Sequence, residues 1–449
     1  CLRCPCVDLR LVLCSLLTPT RADPGALLRL GMDILNQVQN AMDESHILEK
    51  MAAEAGQKRP GMKPIKGITD LKVKDVLLPV ITMNFMPGVG VFQCVSTGMT
   101  ITGKSFMGGN MEIIVVLNIT ATNRLLQDEE TGLPMFKSEG CEVILVSVKT
   151  NLPSNMLPKV VNKFLDSTLH KVLPGLVSAQ SEPPPLIPVN LHLCAAPMPV
   201  GQMGTVQYVL TSVPTTTPSY IQVDFSPVVQ QQKGSAVQLA DDAGGAEFPE
   251  DHAEGSSQLL LSAAFLTAEL ALLQKSFDVK VKDTMVTAPQ TTVTLAGFIP
   301  KVSAPPKPLV TQIRINKPPK VTMKTGKSLL HLHGTLEMFA ARRRGKPPVS
   351  LFVLETVSGF FSQLSPTYGH LKLEGRLLAH SQGTFSFSLS CQEKKLIGFI
   401  TDFLQEAYIP VINDVLQVGF PLPDLLDMNY NLAELDITED ALVLNLKLD

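Results

Sequence analysis

Met111-Glu-Ile-Ile-Val-Val-Leu-Asn-Ile-Thr120 is the stretch whose reading decides the fold. Met111, Ile113, Val115, Leu117 and Ile119 share one face, and Glu112, Asn118 and Thr120 fall on the other. A period of two marks a strand with one side turned to a core. The same period runs from residue 65 to 122, with Gly88, Gly90, Gly98, Gly103, Gly108 and Gly109 as punctuation. A further strand is expected over 142–149.

Just before this stretch stands Thr102-Gly-Lys-Ser105, and the same tetrapeptide returns at Thr325-Gly-Lys-Ser328, 223 positions later. Each copy follows one strand-like run and precedes another, so both read as hairpin turns. The first copy also completes a P-loop expression, Gly98-Met-Thr-Ile-Thr-Gly103-Lys104-Ser105. A phosphate cradle needs a helix opening at the lysine, and here a glycine pair and a strand follow. The hairpin reading is preferred, and no nucleotide partner is expected.

Helical stripes flank the strands in each half. In the first half, residues 25–51 place Leu27, Leu30, Ile34, Val38, Ala41 and Met42 on one face. Residues 154–173 do the same with Leu157, Val160, Val161, Phe164, Leu165, Leu169 and Val172. A proline-rich linker at 182–200 and strands within 208–225 separate the halves. The second half repeats the order: an apolar helix at 256–275, strands at 277–282 and 309–333, and a helix at 394–418. That last helix carries Phe399, Ile400, Phe403, Leu404, Ile412, Val415 and Leu416, and a strand at 441–449 closes the chain.

The bulk numbers bound the rest. A chain of 449 residues calls for two large domains. Apolar residues make up 45%, charged residues 18%, and the mean hydropathy is +0.19. No uninterrupted apolar run reaches the ~18 residues of a spanning helix; the longest, 259–273, contains Glu269. The apolar surplus therefore points to an internal cavity in a soluble protein. Net charge is −3, and residues 23–175 hold 15 Lys/Arg against 15 Asp/Glu, which removes nucleic acid from the expected partners.

An aliphatic run at 9–17 ahead of Thr20-Arg21-Ala22 reads as a signal peptide over 1–22 and as entry into the secretory pathway, with secretion or retention in the endoplasmic reticulum lumen. Cys94, Cys141, Cys194 and Cys391 then remain, too few for a disulfide scaffold, with room for one bridge. His331-x-His333 has no third ligand at a metal-site spacing. No nucleophile elbow, zinc helix or carboxylate pair is found, so neither catalysis, a metal nor a cofactor is expected. Asn118-Ile-Thr120 is the one N-glycosylation sequon. Arg342-Arg343-Arg344 with Lys346 reads as a solvated basic loop, or alternatively as a contact for anionic headgroups.

The segments Met86-Pro-Gly-Val-Gly90 through Ile101-Thr-Gly-Lys104, Glu139-Gly-Cys141, the 259–277 helix, and Gly419-Phe-Pro-Leu-Pro423 followed by Asn429-Tyr430 together resemble the bactericidal/permeability-increasing (BPI/LBP/PLUNC) fold family. The match is best to its long PLUNC group. The resemblance implies an α+β fold: an elongated two-domain boomerang, each domain a twisted antiparallel β-barrel with two long amphipathic helices, joined by a central β-sheet. Domains are expected at 23–182 and 236–449, with 183–235 as linker and central sheet.

It also implies one lipid pocket per domain. The first would be lined by Leu27, Leu30, Ile34, Val38, Met42, Val161, Phe164, Leu165, Leu169 and Val172. The second would be lined by Leu266, Leu270, Leu273, Phe399, Phe403, Ile412 and Val415. The resemblance implies a bridge at the Cys141 position; the usual partner position holds no cysteine here, so the partner is open, with Cys194 as one candidate. Residues 351–390 lack the alternation the second barrel needs. The implied function is non-enzymatic binding of phospholipid or another amphipathic lipid, with transient membrane-surface contact. The alternative is an innate-immunity surface protein with vestigial pockets, and the charge balance of the first half argues against killing bacteria.

Overall fold

The computed structural model describes residues 25–44, 68–77, 79–105, 109–127, 134–151, 197–232, 255–282, 309–340, 348–367, 370–377, 393–423 and 430–446, with the single positions 234, 236, 237, 248 and 295. Strand β1 (Ala26–Leu30) and helix α1 (Met32–Glu44) come first. The first half continues with β2 (Ile68–Val76), β3 (Val80–Met86), β4 (Gly90–Ser105), β5 (Asn110–Gln127) and β6 (Pro134–Thr150). The middle of the chain holds β7 (Met198–Val200), β8 (Gly204–Leu210), β9 (Thr215–Thr216), β10 (Ile221–Gln231), β11 (Ala236–Val237) and β12 (Ser257–Ser262).

Helix α2 (Ala263–Leu272) follows β12 directly and passes into a 3₁₀ turn at Gln274–Phe277. Strands β13 (Val279–Lys282), β14 (Leu309–Ile315), β15 (Lys320–Lys324), β16 (Lys327–Ala340), β17 (Val349–Thr367) and β18 (His370–Leu377) come next. Helices α3 (Glu393–Phe403) and α4 (Ile409–Leu416) are joined by a π-helical turn, Leu404–Tyr408. Strands β19 (Phe420–Pro421), β20 (Glu434–Thr438) and β21 (Ala441–Leu446) end the described chain.

These strands form three antiparallel sheets. One runs β2-β4-β5-β6 with β3 beside β4; a second runs β13-β14-β16-β17-β18-β19 with β15 beside β16. The third is a nine-stranded sheet ordered β20-β21-β12-β1-β10-β8-β7, with β9 and β11 beside β10. It collects strands from the start, the middle and the end of the chain, so the expected central segment 183–235 supplies only part of it. Strand β5 behaves as its alternation requires: Met111, Ile113, Val115, Leu117 and Ile119 are all buried.

Several expectations are corrected. Residues 26–30 are a strand, because β1 is paired on both edges, Leu28 with Val223 and with Leu259. Gly31 separates it from α1 and lies against the backbone of Gly255, so Leu27 and Leu30 belong to a sheet and not to the helix. Residues 257–262 are likewise strand β12, buried on both faces. A short apolar run with both faces buried has no period to distinguish strand from helix. Strand β21 is of the same kind: Leu442 and Leu444 join the main core, while Ala441 and Val443 pack with Leu27, Leu260 and Phe248 on the other side.

Thr325-Gly326 is the hairpin turn expected, with Gly326 at φ 71° between paired Lys324 and Lys327. The first Thr-Gly-Lys-Ser is not a turn. Gly103 pairs with Met111 and Lys104 with Asn110, so the chain reverses only after Ser105. Within the segment 351–390, expected to lack alternating strands, residues 351–367 and 370–377 lie in β17 and β18, which are paired to their neighbours along most of their length; the remainder lies outside the described residues. The expected pair of long amphipathic helices per domain also changes: α2 spans ten residues and has no polar face. The helix expected at 154–173 lies outside the described residues.

Candidate functional site

The apolar stripes of the second half meet around α2. Its sequence, Ala-Ala-Phe-Leu-Thr-Ala-Glu-Leu-Ala-Leu, has a single charge and no amphipathic face, which is the pattern of a helix covered all round. Ser262 caps it by accepting the Phe265 amide at 3.1 Å. One side is tied to the second sheet, where the Val321 amide donates to the Thr267 hydroxyl at 2.9 Å. Another side meets the central sheet. Phe265 stands edge-on to Tyr208 at 5.6 Å, Tyr208 stands edge-on to Phe225 at 5.9 Å, and the Tyr208 hydroxyl donates to the Pro421 carbonyl at 3.0 Å.

The C-terminal helices close the arrangement. Phe403, Leu404, Tyr408, Ile412 and Leu416 are buried, and Phe399, Val411 and Val415 are half-buried against the same core. The Tyr408 hydroxyl donates to the Phe277 carbonyl at 2.9 Å, and the Gly375 amide donates to the Asn413 side chain at 2.8 Å, which docks α4 on β18. Burial, with a smaller contribution from Asp278, pushes the Tyr408 phenol well above its usual range. Leu266, Leu270, Leu273, Phe403 and Ile412 are all buried in one apolar body, the main core that also takes in the inner face of the first sheet, with Phe399 and Val415 partly buried against it.

Inside this body sits Glu269. It is fully buried, and neither carboxyl oxygen has a hydrogen-bond partner among the described residues. Desolvation raises its pKa well above the ordinary carboxylate value, which favours the protonated form. The Thr311 hydroxyl, also buried, has no partner there either. Sequence reasoning passed over Glu269 as a mere interruption; the usable signal is that it is the only charge in residues 259–273.

The first-half set is dispersed. Leu30 and Ile34 enter the main core, whereas Leu27 points to the opposite face of the central sheet. On that face Arg29 lies between the rings of Tyr220 at 4.6 Å and Phe248 at 4.0 Å. Val38 and Met42 fall within α1, but their side chains lie outside the described residues. So do Val161, Phe164, Leu165, Leu169 and Val172, the Cys141 side chain and Cys194. Asn123, not anticipated from the sequence, is fully buried on the core face of β5, and neither amide atom has a partner among the described residues.

The Nε2 of His331 lies 2.9 Å from the Thr322 hydroxyl, and burial, then His333 and Lys320, lower its pKa. No metal-ligand cluster occurs among the described residues, nor a helix long and apolar enough to cross a membrane.

Comparison with known proteins gives a consistent result. Residues 26–180 match the model of the LBP / BPI / CETP family, N-terminal domain, and residues 207–449 match the C-terminal domain of the same family. The chain is similar to BPI fold-containing family B member 6 of Homo sapiens, 70% identical with 98% of each chain covered, and to that of Mus musculus at 65%. It is 29% identical to human BPI fold-containing family B member 4 over 86% of this chain and 64% of that one. The crystal structure of lipopolysaccharide binding protein shares the fold, with a TM-score of 0.60, 18% identity, and 94% and 98% of the two chains covered.

Proposed function

We propose, from the premise that this chain belongs to the LBP / BPI / CETP family, that it is a non-enzymatic lipid-binding protein of the secretory pathway. Its ligand is a phospholipid or similar amphiphile held in apolar pockets between helices and sheets. The observation that carries this reading is α2, most of whose side chains are buried against the central and second sheets, with a Glu269 carboxyl that has no partner among the described residues. Leu266, Leu270, Leu273, Phe399, Phe403, Ile412 and Val415 are the residues assigned to the second pocket. Leu30, Ile34, Val38 and Met42, with Val161, Phe164, Leu165, Leu169 and Val172, are assigned to the first.

The energetics suit exchange with membranes. Burying an acyl chain contributes ~0.8 kcal/mol per CH₂ relative to water. Relative to a bilayer that gain nearly vanishes, so lipid can be taken up and returned without a large barrier in equilibrium terms. Glu269 narrows the chemistry. In its protonated form it offers one O–H donor and one carbonyl acceptor to a polar oxygen of a lipid.

The test is detergent-free purification from a mammalian secretory host, followed by mass spectrometry of extracted lipid. Stoichiometric lipid is expected. A folded, lipid-free protein would overturn the carrier reading and favour a surface-interaction protein of innate immunity.

A further inference from the structure

We infer that Asn118 carries an N-linked glycan whose physical role is to cover an exposed apolar patch on the outer face of the first sheet. This rests on the reading that the chain enters the secretory pathway, and its test separates the two. Asn118 lies in the middle of β5, between Leu117 and Ile119, whose side chains are buried, so its own side chain points outward. Across the ladders it faces Ser96 on β4 and Ile144 on β6. Among the described residues its amide has no hydrogen-bond partner, so nothing there competes for the nitrogen. Thr120, the sequon hydroxyl, pairs with Cys94 and Glu142 on the same outward face.

The surroundings give the glycan something to do. Ile144 is 50% exposed and Val146 56%, and Ile114, two residues beyond Val116 on β5, is 39% exposed. These belong to β6 and its neighbour, and β6 is the last strand of its sheet among the described residues. A long edge strand bearing exposed β-branched residues is a template for pairing with another chain. Soluble proteins protect such edges by charge, by distortion or by cover. Here the residues from Val143 to Val146 offer no charge, and the register irregularities between Val116 and Leu117 and between Thr120 and Thr122 leave Ile144 and Val146 exposed all the same. A branched, strongly hydrated saccharide attached one strand away supplies the cover.

The chemistry is a simple displacement. The Asn118 amide nitrogen forms a bond to the anomeric carbon of an oligosaccharide, the bond from that carbon to a lipid-linked pyrophosphate breaks, and the amide proton leaves with the pyrophosphate. Because β5 is hydrogen-bonded on both edges, the transfer must precede closure of the sheet.

Intact mass spectrometry of the full chain from mammalian cells, before and after enzymatic deglycosylation, reads occupancy. One glycan is expected, lost in both N118Q and T120A. Light scattering then compares glycosylated wild type with N118Q and with wild type deglycosylated after folding, in case N118Q does not fold. The expected result is a concentration-dependent shift toward dimers and larger species without the glycan, reversed by adding I144K and V146K. Protein recovered inside secretory compartments with a bare Asn118 overturns the inference and leaves the secretory reading standing. Protein confined to the cytosol overturns both. Unchanged oligomeric state on removing the glycan overturns the shielding role.

Discussion

Tyr408 donates its hydroxyl to the carbonyl of Phe277 at 2.9 Å, a buried bond that joins positions 131 residues apart. It fixes the π-helical turn between α3 and α4 against the 3₁₀ turn that ends α2. Removing the hydroxyl leaves a buried carbonyl without its donor. Tyr408→Phe should therefore cost about 1–3 kcal/mol in urea unfolding, with little change in the slope. A loss below the error of the extrapolation would mean that water replaces the phenol and that this turn is not dry.

Glu269 gives a pH prediction with a definite sign. Burial raises its folded pKa above the unfolded value near ~4.3. Above that pH the unfolded chain releases a proton that the folded protein keeps, so stability falls as pH rises toward the folded pKa. The slope is at most ~1.4 kcal/mol per pH unit, and below ~4.3 the penalty is absent. Glu269→Leu should remove this slope and, in lipid-free protein, stabilise by about 1–3 kcal/mol at neutral pH. Parallel stability curves for the two proteins from about pH 5 to about pH 8 would show that the carboxyl has a partner and is not an orphan.

The proposed second pocket can be separated from ordinary core packing. Phe403→Ala should cost about 3–5 kcal/mol and reduce co-purifying lipid. Leu260→Ala, on the opposite face of the central sheet with Val443 and Phe248, should cost about 2–5 kcal/mol and leave the lipid content unchanged. Equal lipid loss in both would mean that lipid merely follows global stability.

Asp33 joins the start of α1 to the start of β12. One carboxyl oxygen accepts the Ser257 amide at 2.8 Å and the other accepts the Ser257 hydroxyl at 2.6 Å, while that hydroxyl also accepts the Gly31 amide at 3.0 Å. Asp33→Ala should destabilise by about 2–3 kcal/mol and expose the α1 segment to limited proteolysis. Asp33→Asn, which keeps one acceptor, should fall between. Identical digestion of wild type and Asp33→Ala would show that β1, not this junction, holds the helix.

The parts of the fold legible in the sequence were those with a free face. Strand β5, with one side in the core and one outward, announced itself by alternation, and α4 by the spacing of Ile412, Val415 and Leu416. Strands β1 and β12 carried no such mark, because the central sheet is covered on both sides and Leu259, Leu260 and Leu261 are all buried, whereas β21 was legible from Leu442, Leu444 and Leu446. The same cause hid the candidate site. Glu269 looked like a break in an apolar run until its burial showed that no partner among the described residues answers it, and the sequence did not mark Asn123 as a buried amide.

By itself the sequence determined that two halves of alternating strands and apolar stripes exist, that the chain has a surplus of apolar side chains, and where its single sequon falls. Periodicity and composition are local properties, and they survive without knowledge of neighbours. Only the tertiary structure decided that residues from the first, middle and last parts of the chain build one sheet, that Leu27 and Leu28 face opposite cores, and that Glu269 is buried with no partner among the described residues. Those outcomes depend on which segments exclude water from which others, a non-local quantity that no stretch of sequence contains.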